Sequence, residues 1–96
     1  MAYDPGAIDA TLAAAVGDEP ALIAELRIAF VESAERTLTA MTLATEPEEW
    51  RAAAWRLKGL AASFGAVRLM ALATQAAEGP RDTEHLKKLR RAISRL

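Results

Sequence analysis

The stretch Ala53-Ala54-Trp55-Arg56-Leu57-Lys58-Gly59-Leu60-Ala61-Ala62-Ser63-Phe64-Gly65-Ala66 decides how this chain is read. At about 100° per residue, Ala53, Ala54, Leu57, Leu60, Ala61 and Phe64 fall into one apolar arc, joined by Trp50. Such an arc is the stripe a helix presents to a bundle core. Trp55 lies about 160° from the centre of that arc by the same stepping. Gly59 lies beside it, and Ala52 and Ala62 share that side of the helix. Arg51, Arg56, Lys58 and Ser63 flank the strip. The two tryptophans therefore have different expected fates: Trp50 enters the core and Trp55 faces outward.

Outward from this segment, everything points to helix. Alanine and leucine dominate, and both are strong helix formers. No stretch alternates apolar and polar residues as a half-buried strand does. A short first helix is predicted from Ile8 to Val16, ended by Gly17. Asp18-Glu19-Pro20 reads as a new start, a capping acid followed by a proline in the first turn. The second helix runs to about Ala44 and is expected to bury Leu22, Leu26, Ala29, Phe30, Ala34, Leu38 and Met41.

Thr45-Glu46-Pro47-Glu48 predicts a threonine cap with Glu48 closing a capping box. The acidic group Glu46, Glu48 and Glu49 is read as capping, since a helix N-terminus favours negative charge. The third helix then extends to Phe64 and stops at Gly65. A fourth, from Ala66 or Val67 to Glu78, uses Leu69, Leu72, Ala73 and Ala76 before Gly79-Pro80 breaks it. The last starts near Thr83 and turns Leu86, Leu89, Ile93 and Leu96 inward. Connections this short favour antiparallel neighbours. The predicted fold is all-α: an antiparallel up-down four-helix bundle over 18–96, with a short extra N-terminal helix over 1–17. Residues 1–96 form one domain, as 96 residues leave no room for a second core.

The absence of cysteine excludes disulfides and thiolate metal sites. No apolar run approaches the roughly 20 residues of a membrane span. Met1-Ala2-Tyr3-Asp4-Pro5 has neither the basic start nor the apolar stretch of a secretory signal, so cytoplasmic residence is expected. The net charge of -1 hides a polarity: residues 1–50 carry ten acidic and two basic side chains, residues 51–96 three acidic and ten basic. Mutual attraction of the two halves is the expected use of that polarity, ahead of an acidic partner or nucleic acid.

The pattern Ala-Ala-x-Arg-Leu-Lys-Gly followed by small residues and Gly65 resembles the signature of histidine-containing phosphotransfer (HPt) domains, the relay modules of bacterial phosphorelays. The resemblance covers most of the chain from Asp18 onward, and its specificity lies in residues 53–66. It implies a four-helix bundle on which a receiver domain docks, passing a phosphoryl group between its aspartate and a solvent-facing histidine. Trp55 then occupies the phosphoacceptor position. Lys58 matches the lysine whose charge would stabilise a phosphoryl group, and Gly59 the glycine that opens space for the receiver. Ser63 stands where a small polar residue is common, and Gly65 matches the second glycine.

Trp55 departs from the family at the decisive atom. Neutral imidazole offers an in-plane nitrogen lone pair, whereas the indole nitrogen is a donor only. Phosphohistidine transfer at position 55 is chemically excluded. His85, the one histidine, sits in Thr-Glu-His-Leu-Lys, unlike an acceptor motif, and is expected at the surface. Ser63 would need a base and a metal that the sequence does not supply.

The sequence thus predicts a non-enzymatic pseudo-HPt module that binds a response-regulator receiver domain or a histidine kinase without taking phosphate. Its docking residues are Arg51, Ala52, Trp55, Arg56, Lys58, Gly59, Ala62 and Ser63, with no catalytic residue, metal, cofactor, small-molecule substrate or membrane partner. Three rival readings stand beside it. Trp55 could pair two copies across a two-fold axis as a homodimer. The basic run from Lys87 to Arg95 could bind nucleic acid, although its leucine and isoleucine spacing reads as a core stripe with a solvated face. An ordinary HPt domain could also have had its histidine replaced by engineering.

Overall fold

Prolines and glycines set the helix boundaries. The computed structural model describes residues 5–17 and 19–96, in which five helices are the whole of the regular structure. They are α1 (Pro5–Val16), α2 (Pro20–Leu43), α3 (Pro47–Ser63), α4 (Val67–Glu78) and α5 (Thr83–Ser94). Pro20 and Pro47 occupy the first turns of α2 and α3, where a missing N–H costs nothing. Gly17 and Gly65 end α1 and α3 at φ +82 and +70, a left-handed conformation that glycine adopts without a Cβ clash. None of the helices is long and apolar enough to cross a membrane among the described residues.

Helix α1 begins at Pro5, earlier than the expected Ile8. Glu19 occupies the cap of α2 without a side-chain hydrogen bond, and the expected capping Asp18 lies outside the described residues. At α3 the cap is Glu46, one residue beyond the expected Thr45. The Glu49 carboxylate accepts from the Glu46 N–H at 3.0 Å. The Thr45 hydroxyl and N–H also donate to Glu49, at 3.1 and 3.3 Å. Glu49 rather than Glu48 therefore closes the box.

α3 packs on α4 over the largest helix–helix interface, and also on α2; α5 packs on both α4 and α2, and α1 on α2. Fully buried Ala53, Ala54 and Ala61 of α3, with Ala73 and Ala76 of α4, put short side chains into the shared core. Phe30 and Phe64 stack with centroids 4.6 Å apart, fixing the end of α3 to α2. The core holds no buried polar or charged side chain among the described residues. The apolar arc of α3 lies as predicted, with Leu60 and Phe64 at its half-buried edge. On α2 the expectation fails at two positions. Ala29 is exposed, and Leu22 is only half-buried, while neighbouring Ile23 packs against the core.

Two hydrogen bonds complete the frame. The carbonyl of Ala76 cannot receive the usual helical bond from four residues on, because Pro80 has no N–H. The buried indole of Trp50 supplies the donor, Nε1 to oxygen at 2.8 Å. The Arg81 guanidinium likewise donates to the Ala44 carbonyl at 2.8 Å, tying the α4–α5 connection to the end of α2. Among the described residues, attraction between the charged halves does not take the form of ion pairs: none joins an acidic side chain of 1–50 to a basic one of 51–96, and Lys87 pairs with Glu84 inside α5 at 3.6 Å.

Candidate functional site

Because Ala53, Ala54, Leu57 and Ala61 are buried, the opposite side of α3 is turned to solvent. Arg51, Ala52, Trp55, Arg56, Gly59, Ala62 and Ser63 are all exposed there, and Lys58 is half-buried. Trp55 keeps 40% of its surface exposed, against 3% for Trp50. One helix thus holds one indole in the core and one outside it.

Lys58 does not stand apart from Trp55. Its ammonium lies 4.5 Å from the centroid of the Trp55 ring, within the reach of a cation–π contact. The spacing of three residues places the two side chains on adjoining turns of one face. A Cβ added at Gly59 would meet nothing within 4 Å beyond its own helical backbone. No packing among the described residues requires glycine at that position. The Ser63 hydroxyl donates back to the Gly59 carbonyl at 3.0 Å, so its proton is engaged in the helix rather than poised beside a base.

His85 is half-buried, not the surface residue expected. Its ring lies 6.4 Å from that of Trp50, tilted by 58°. On its other side it crowds Gly79, where an added Cβ would come within 2.7 Å of Nε2 and 3.0 Å of the Gln75 carbonyl oxygen. Its ring contact is with the core tryptophan and not with Trp55.

The Glu49 carboxyl is held below the ordinary glutamate value. The cause is the hydrogen bond from the Glu46 N–H, reinforced by those from Thr45, and it outweighs desolvation. This is the electrostatics of a helix cap. It does not mark a proton-transfer site.

Comparison of the chain with protein-family models, with curated proteins and with solved structures finds no match. The functional reading accordingly rests on residues 53–66 and on the surface they build.

Proposed function

We propose that this chain is a degenerate HPt module, a non-enzymatic cytoplasmic adaptor that docks a receiver domain or a histidine kinase through α3 without accepting phosphate. In this reading α2 to α5 form the antiparallel up-down four-helix bundle of the family, and α1 is the extra N-terminal helix. The cyclic packing of α2 on α3, α3 on α4, α4 on α5 and α5 on α2 supports that arrangement.

The observation that carries the proposal is the outward strip of α3. An exposed indole stands at the acceptor position, and one turn on Gly59 opens onto empty space. Mid-helix glycine lowers helix stability by roughly 1 kcal/mol relative to alanine. With no internal packing to require it, its small size is explained by the approach of another molecule. A tryptophan ringed by small residues and cations is a strong anchor for such a contact. The indole nitrogen has no lone pair for phosphorus, so association proceeds without transfer.

Titration of the protein with the receivers and kinases of its host tests the proposal, run beside Gly59→Leu. Complex formation by the native protein and its loss on filling the Gly59 space are expected. Equal binding by Gly59→Leu would remove α3 from the interface.

A further inference from the structure

A second surface lies away from the strip on α3. Arg68 of α4 and Lys88, Arg91 and Arg95 of the α5 segment converge on a cavity of about 110 Å³, whose apolar wall includes the buried Leu69 and Leu72. No acidic side chain lines it, and none of the four cations is in an ion pair among the described residues.

Part of this placement opposes helix stability. Lys88 and Arg91 are three residues apart and Arg91 and Arg95 four, spacings at which like charges destabilise a helix. Arg68 sits in the first turn of α4, where the helix dipole disfavours a cation. The dipole does favour Arg91, in the last turn of α5, but it offers no reason for Lys88 or Arg68. Arg68 and Lys88 thus draw no support from the helix dipoles, whereas Arg91 and the C-cap Arg95 do, and all four feed one cavity.

We propose that the α4–α5 groove is a docking site for an acidic peptide segment carrying an aliphatic anchor. The anchor side chain fills the leucine-walled cavity, and flanking carboxylates meet the four cations at its rim. Charge complementarity selects an anionic occupant, and the aliphatic wall selects a peptide. Nucleic-acid bases stack on aromatic side chains, and the cavity lining contains none.

The probe is a fluorescent short peptide of glutamates and aspartates around one central leucine, followed by anisotropy with the full chain. Binding is expected to weaken about tenfold in the Lys88→Gln/Arg95→Gln double variant. Lys87→Gln, which removes an α5 charge paired with Glu84 outside the cavity, is expected to change it less than about twofold. Replacing the peptide's leucine by serine should weaken binding by a similar tenfold or so. Far-ultraviolet circular dichroism of each variant establishes that the helices are intact. Three results would each overturn the site: equal losses in the double variant and Lys87→Gln, indifference to the central leucine, or tighter binding of random duplex DNA or anionic phosphatidylserine vesicles than of the peptide.

Discussion

The Lys58 ammonium rests 4.5 Å from the centroid of the Trp55 ring, so its charge is partly engaged by the exposed indole three residues before it. At a partly exposed site such a contact contributes about 0.5–1 kcal/mol. A double-mutant cycle of Trp55→Ala and Lys58→Met, read by urea unfolding, is expected to return a coupling of that size. Strict additivity would mean that the two side chains do not interact.

Glycines at 59 and 65 should respond oppositely to the same substitution. Gly59 lies inside a helix with open space around it, so Gly59→Ala is expected to stabilise by roughly 1 kcal/mol. Gly65 sits at φ +70, where a Cβ costs about 1–2 kcal/mol, so Gly65→Ala is expected to destabilise. A shift of about 4–8 °C in Tm per kcal/mol makes both effects visible in thermal melts of a chain this size. Shifts of the same sign would contradict the assigned backbone.

Trp50→Phe removes the donor that serves the Ala76 carbonyl. Stranding that acceptor at a site where Pro80 has no N–H is expected to cost about 1–3 kcal/mol, beyond the loss of ring volume. Trp55→Phe strands no such group and should cost less than 1 kcal/mol or so. Acrylamide quenching of the two variants should show Trp55 accessible and Trp50 protected; equal quenching would refute the division between core and surface.

Glu49 supplies the pH dependence of the α3 cap. Its folded pKa is lowered, chiefly by the Glu46 N–H, so the unfolded chain binds the proton more readily. The stabilisation is full above the ordinary glutamate range and is lost as pH falls through the lower folded value. The stability difference between native protein and Glu49→Gln should therefore narrow on acidification. A difference that stays constant from neutral pH to well below the glutamate range would mean that Glu49 caps nothing.

Periodicity within a helix was enough to place the core faces of α3, α4 and α5, because their apolar residues cluster on one side. It was not enough on α2, where Ile23, Ile28 and Val31 compete with the chosen stripe and an alanine such as Ala29 has little surface to decide the matter. The cap of α3 was legible in principle, since Pro47 prefers the first helical position and so points to Glu46. Two adjacent polar residues, Thr45 and Glu46, obscured it. The outward direction of Trp55 followed from its angle to the core arc, whereas the contact of Lys58 with its ring is a finding of the structure alone. Contacts between distant segments, such as Trp50 with Ala76 and Arg81 with Ala44, leave no local trace. The α4–α5 groove is of the same kind: the basic run of α5 is plain in the sequence, but the arrival of Arg68 depends on packing.

Docking without transfer has one direct measurement. The native protein and Trp55→His are each mixed with a phosphorylated receiver of the host, and complex formation and acid-labile phosphate are followed together. The account predicts that the native protein binds and stays unlabelled, while Trp55→His binds and acquires acid-labile phosphate. A native protein that takes the label, or that binds no receiver or kinase of its host, would contradict it.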